Sequence, residues 1–176
     1  MCLREMRNGK PEMRAVYRAR QFFGALRPRV RRSELRSAAE VLGPELIPLF
    51  LSMSRRDQRH CLDVCEKLRA WGCEESDVLT AALLHDAGKG SMAGGRVRLW
   101  HRVAFVLLEA GAPGMIRPLS RYSRGLRALR RHGERGVVLV EALGGAPEVV
   151  RLLREMERRE AVDSRAVLLR EADEGA

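Results

Sequence analysis

Apolar residues return every three or four positions along most of this chain, and the returns break at glycine, proline and serine. That period marks helices with one buried face. Over residues 54–71 the stripe is Cys61, Val64, Cys65 and Leu68, with Ser54 placed to cap the start and Gly72 to end the helix. Residues 74–87 hold the most apolar helix. Val78, Leu79, Ala81, Ala82, Leu83 and Leu84 leave it almost no polar face, so it is expected to run through the centre. Gly88 reads as its stop, and Ser91-Met92-Ala93-Gly94-Gly95 as a flexible loop.

Upstream, residues 1–12 read as a polar tail containing Gly9 and Pro11, and 13–26 as a helix carrying Val16, Phe22, Phe23 and Leu26. A helix over 34–42, capped by Ser33, is separated by Gly43-Pro44 from an apolar stretch at 46–53. Downstream, helices are expected at 96–110, 113–120, 121–131, 133–143, 147–158 and 164–173. Pro147 sits at a permitted first position, and Asp163 or Ser164 caps the last helix. No segment alternates polar and apolar residues over a strand's length, and no internal repeat or Gly-rich phosphate loop occurs. The expected fold is all-α: a tail (1–12), N-terminal helices (13–53) packed on the domain, and a helical domain over 54–176.

Composition refines this picture in three places. With 176 residues, 45% of them hydrophobic but only 5% aromatic, one domain must fill its core with Leu, Val and Ala. The formal charge of +10 is almost entirely arginine, since Lys occurs only at positions 10, 67 and 89. Arginine grips phosphate through paired hydrogen bonds, so a phosphorylated small molecule or nucleotide is a natural partner; solvated arginine is the plainer account. Arg121, Arg124, Arg127, Arg130 and Arg131 recur as one basic face that suits a polyphosphate or nucleic-acid backbone, or simply solvent. Nucleic acid is the lesser expectation, because Tyr122 is the only aromatic in that stretch.

The four cysteines form no close pair of the Cys-x-x-Cys kind and read as buried thiols. Charges occupy the N-terminus where a signal peptide is apolar, and no apolar run approaches the roughly 18 residues needed to span a bilayer. Cytoplasmic residence without a membrane partner is therefore expected.

His85-Asp86 closes the most apolar helix. An ionised carboxylate there is costly unless its charge is compensated, and imidazole with carboxylate is ordinary ligation for a divalent metal. A helix simply finishing in polar surface residues is the alternative. His60 bears on the choice: it precedes the short connection at 72–74 by about as many residues as His85 follows it. Antiparallel packing of the two helices sets the imidazoles level, where they can share one ion.

Arg59-His60, the run Ala81-Ala82-Leu83-Leu84-His85-Asp86-Ala87-Gly88-Lys89, and Leu168-Leu169-Arg170-Glu171-Ala172-Asp173 together resemble the HD superfamily of metal-dependent phosphohydrolases over roughly 54–174. The resemblance implies an HD-domain-like helical bundle with extra N-terminal helices, whose His60, His85, Asp86 and Asp173 hold a divalent metal (Mn, Fe, Co, Mg or Zn). It also implies hydrolysis of a phosphate ester, often in a nucleotide. His132 resembles the first of the further histidines of the two-metal branches, and the next is replaced by Met156. A thioether is a poor ligand for such cations, so one ion is expected rather than two. Glu155 and Glu157 point about 100° away on an ideal helix and reach the site only if the helix is distorted. Asp86, Lys89 and Glu134 are the expected catalytic groups: Asp86 on the metal, Lys89 meeting a phosphate, and Glu134, near His132, moving a proton. The same residues also fit a non-catalytic HD domain, a metal-stabilised module that binds a nucleotide or regulates a partner. His101, beside Trp100, reads as packing.

Overall fold

Helices and tight turns account for the described residues, and no strand occurs among them. A computed structural model describes residues 28–93, 97, 99–158 and 162–176; the tail at 1–12 and the helix expected at 13–26 lie outside the described residues. The helices are α1 Arg32–Leu51, α2 Arg55–Ala70, α3 Ser76–Leu84, α4 Leu99–Gly111, α5 Ile116–Tyr122, α6 Arg124–Arg130, α7 His132–Ala142, α8 Pro147–Met156 and α9 Ser164–Glu174. None is long and apolar enough to cross a membrane.

Local chemistry accounts for most of the boundaries. Ser54 accepts a hydrogen bond from the Asp57 amide at 3.3 Å and starts α2; Asp163 accepts from the Arg165 amide at 2.8 Å and starts α9. Gly72 ends the α2 turn with φ 84°, a left-handed conformation that glycine adopts without strain. Two expectations are corrected. Gly43-Pro44 is a kink within α1 rather than a gap, with Gly43 alone leaving the helix at φ 68°. The N-cap of α1 is Arg31 rather than Ser33, and the Arg31 amide donates to the Glu34 carboxylate at 2.6 Å.

α3 is central, as its composition predicts: every residue from Val78 to Leu84 is buried, and the helix packs against α1, α2, α8 and α9. One apolar core joins Leu42, Leu49 and Phe50 of α1 to Leu68 of α2, Leu83 and Leu84 of α3, Val140 of α7, Leu152 of α8 and Leu169 of α9. At 25 cal/mol per Å², each such fully buried side chain stabilises the fold by about 1.5–3 kcal/mol before chain entropy is counted. Cys61 and Cys65 are buried free thiols within this core, and Cys73 is a half-buried one.

α3 stops at Leu84, shorter than the expected 74–87, because the chain tightens there into a 3-10 turn over Ala87–Lys89. In that turn the Lys89 and Gly90 amides donate to the carbonyls three residues back, at 2.9 and 3.0 Å. Gly88 is not the left-handed stop expected of it. The glycines with positive φ among the described residues are Gly43, Gly72 and Gly144. Gly88 instead lies flat against α7: a Cβ there would come 1.7 Å from the His132 carbonyl oxygen and 2.8 Å from the Gly136 nitrogen. This close approach seats the first turn of α7 on the His85-Asp86 corner. Ser91–Ala93 forms a further 3-10 turn, with the Ser91 amide donating to the Ser52 carbonyl at 3.0 Å; Gly94 and Gly95, the rest of the expected loop, lie outside the described residues.

Candidate metal centre

Four elements deliver polar side chains to one cavity of about 250 Å³: His60 from α2, His85 and Asp86 from the end of α3, His132 from the start of α7 and Asp173 from the last turn of α9. His60 and His85 meet edge to face with ring centroids 5.3 Å apart, the juxtaposition expected from their level positions on α2 and α3. His60 Nε2 lies 2.7 Å from Asp173 Oδ1, and His85 Nε2 lies 3.3 Å from the same oxygen. Asp86 Oδ1 stands 3.7 Å from both His85 Nε2 and His132 Nε2.

The tautomers matter more than the distances. His85 Nδ1 sits 2.9 Å from the Ala82 carbonyl oxygen, and His132 Nδ1 sits 2.7 Å from that of Leu129. A carbonyl only accepts, so each Nδ1 carries a proton and Nε2 is the nitrogen left facing Asp86. Fixing one ring nitrogen on a backbone carbonyl is how proteins orient a histidine toward a metal. His85 Nε2 is buried and has no hydrogen-bond partner among the described residues. Around it stand carboxylate oxygens, which are acceptors too. Such a nitrogen calls for a positive charge, either a proton or a cation.

The electrostatics agree. Burial opposes a charge on His85, but the Asp86 and Asp173 carboxylates beside it raise its pKa well above the ordinary value. Asp86 is buried, which favours its neutral form, yet His85, Lys89 and His132 hold its carboxyl far below the usual range. Asp173 is likewise held low, its burial outweighed by the hydrogen bond from His60 and by the His85 ring close by. His132 is pushed down, first by burial and then by the Lys89 ammonium. Burial also pushes the Cys61 thiol up, so it stays a neutral packing group.

His60, His85 and Asp86 each offer a ligand atom, all within 4.8 Å of one another. Donors about 3–4 Å apart suit neighbouring positions around one ion with bonds of about 2.1 Å. The residues therefore fit a divalent cation, and the buried, unpartnered His85 nitrogen is the observation that tests the fit.

The remaining expected residues fall as follows. Lys89 lines the cavity and its ammonium is 2.6 Å from Asp86 Oδ1, so it neutralises this carboxylate directly rather than pointing free into solvent. Glu134 is not brought in: it is exposed on the outer side of α7, in a hollow with Met92, Arg135 and Val138. Glu157 is brought in instead. α8 ends at Met156 with Glu157 as its cap, and the Arg170 guanidinium binds the Met156 carbonyl at 2.8 Å. The Glu157 carboxyl lies over Gly133, where a Cβ would come 1.9 Å from it, and lines the cavity beside Met156 although its backbone is still helical. His101 is buried against Gly125, away from the centre.

Sequence reasoning missed Asp57. It is almost wholly buried on α2, accepts a hydrogen bond from Ser54 Oγ at 2.6 Å, and is gripped by Arg102 at 2.7 and 2.8 Å. Its signal, a first-turn Asp three residues after Ser54, is common to helix starts and says nothing of Arg102. Asp57 and Arg102 form one wall of a broader cleft of about 690 Å³, which shares His60, Asp86 and Lys89 with the smaller cavity.

Fold and site together define an all-helical protein with a buried histidine–aspartate cluster able to hold a divalent metal ion. Comparison with models of known families found no match, and neither did comparison with curated proteins or with solved structures.

Proposed function

We propose that the chain is a metal-dependent phosphohydrolase of the HD type, acting on a phosphate ester with nucleotides as the substrate class. The observation that carries this reading is the buried His85 Nε2, oriented by the Ala82 carbonyl and facing carboxylates, with no partner of its own. Nothing in helix packing requires that arrangement, and an unpaired polar atom buried without purpose costs about 1–3 kcal/mol.

His60, His85, Asp86 and Asp173 would hold the ion. When bound, it supplies Lewis-acid polarisation of a phosphoryl oxygen and a water acidified toward neutral pH. The rest falls to the chain. Lys89 stands at the junction of the two cavities; with Asp86 engaged as a metal ligand, its ammonium would be free to meet a phosphate oxygen. Arg56 and Arg102 line the broader cleft, whose volume lies within the range of small-molecule sites and accommodates a nucleotide. Glu157, rather than Glu134, is the carboxylate positioned to take a proton at the cavity side.

One ion per chain is the expected stoichiometry, because Met156 lines the cavity where a further nitrogen ligand would serve a second. The non-catalytic alternative draws on the same Met156 and on the Lys89–Asp86 pair, which already balances one carboxylate without metal.

The test is metal analysis of protein purified without chelators, with a phosphatase screen in added Mn on wild type and His85→Ala. Stoichiometric metal and turnover, both lost in the variant, support the reading. Metal without turnover on any phosphate ester turns it into the binding module. Protein that takes up none of Mn, Fe, Co or Zn ends it.

A further inference from the structure

The positive charge of this chain is unevenly placed. Between Ala110 and Gly133 there are six arginines, Arg117, Arg121, Arg124, Arg127, Arg130 and Arg131, and no Asp or Glu. Several arginines elsewhere are partnered: Arg59 with Glu34 and Asp63, Arg102 with Asp57, Arg151 and Arg165 with Glu148 and Asp163, Arg154 with Glu141. None of the six has a carboxylate partner among the described residues.

The fold gathers five of them. α5 and α6 meet at Ser123, which accepts from the Leu126 amide at 3.3 Å and turns the chain sharply between them. Arg117 and Arg121 of α5 then face Arg127 and Arg130 of α6 and its C-cap Arg131 across a groove of about 350 Å³ with Ser120 at its floor. The Arg127 guanidinium is tied back, its Nε donating to the Ser120 carbonyl at 3.1 Å and another nitrogen to that of Arg121. It braces the groove, while Arg117, Arg121, Arg130 and Arg131 are exposed. Tyr122, 90% exposed, follows Arg121 at the end of α5.

Five like charges around one concavity repel one another, and no carboxylate among the described residues relieves them. Rows of arginine three and four residues apart on short helices present a repeating set of forked donors, matched by an acceptor that also repeats. A single phosphate would satisfy one or two. An exposed tyrosine at the end of α5 adds a face on which an unpaired base can stack.

We infer that the α5–α6 groove is a binding surface for the phosphodiester backbone of single-stranded nucleic acid. It is separate from the metal centre, since no residue lining the groove lines the metal cavity, although Arg131 and His132 are chain neighbours. It therefore stands or falls independently of the phosphohydrolase reading.

The experiment is fluorescence anisotropy of a labelled single-stranded RNA 20-mer with the full chain in EDTA, from 50 to 200 mM salt. Three proteins are compared: wild type; a groove variant with Arg117→Gln, Arg121→Gln, Arg130→Gln and Arg131→Gln; and a control with Arg32→Gln, Arg36→Gln, Arg69→Gln and Arg154→Gln. The last two have the same net charge. At about 0.7 per phosphate contact on a single strand, the groove variant should lower the salt slope by about three and weaken binding at least tenfold, while the control stays near wild type. Tyr122→Ala should weaken binding with the slope unchanged. Equal losses in both fourfold variants would assign the binding to diffuse charge and overturn the proposal. No binding by wild type at 50 mM salt overturns it as well, as does capture by vesicles of anionic lipid without capture of RNA. If the groove variant does not fold, the pair Arg117→Gln and Arg121→Gln decides the matter, with half the slope change expected.

Discussion

His85 Nε2 and Asp173 Oδ1 face each other at 3.3 Å, one at the end of α3 and the other in the last turn of α9. With the His85 Nδ1 proton given to the Ala82 carbonyl, Nε2 meets a carboxylate, and the contact is favourable only with a positive charge between them. An amide at position 173 can supply a donor instead. Asp173→Asn should therefore lower metal affinity about tenfold or more without lowering the melting temperature of the metal-free protein. Calorimetric titration with Mn, beside thermal melts with and without EDTA, checks both parts. A variant that melts early even without metal would make Asp173 a structural partner rather than a ligand.

Metal binding should tighten as pH rises. The His85 proton is held well above the ordinary pKa by Asp86 and Asp173 against the effect of burial, and a protonated ring cannot ligate. The ion must displace that proton, so affinity climbs through neutral pH and levels off above the raised pKa. Asp86 and Asp173, held far below the usual range, contribute no titration there. Titration in two buffers of different ionisation enthalpy should show release of about one proton per ion. Buffer-independent heats would contradict this account of His85.

Gly88→Ala tests how His132 is placed. The new methyl group would come 1.7 Å from the His132 carbonyl oxygen, so α7 must retreat from the Asp86 corner. Overpacking of this kind costs about 1–3 kcal/mol, and metal binding should weaken with it. Gly111→Ala, where nothing lies within 4 Å, should shift stability by less than about 0.5 kcal/mol. Chemical denaturation of both variants provides the comparison.

Arg102→Ala should leave Asp57 buried without its cation. Removing one partner of a buried pair costs about 3–5 kcal/mol, more than deleting the pair together. The double variant Asp57→Asn, Arg102→Met should recover much of that loss, as read by denaturation midpoints. A single variant as stable as wild type would show that solvent reaches Asp57 and screens it.

What the sequence determined by itself is local. The 3–4-residue return of apolar positions marks α2 and α3, because one turn of helix sets the period, and Ser54, Gly72, Pro147 and Asp163 mark ends, because each acts on a backbone group within a few residues. The pairing of His60 with His85 was legible for the same reason, since a short connection leaves two neighbouring helices few ways to pack. The tertiary structure decided the rest. Gly88 reads as a helix stop in sequence, and only the fold shows that it admits α7 to backbone contact. Glu134 is the proton-transfer group expected from its place near His132, and Glu157 is expected to point away; the packing of α7 and α8 leaves Glu134 outside the cavity and Glu157 lining it. Arg102 reaches Asp57 from a helix with no sequence relation to it. Caps and periods depend on hydrogen bonds a few residues long, whereas the convergence of side chains depends on how closely and at what angle distant helices meet, which the packing of the whole core sets.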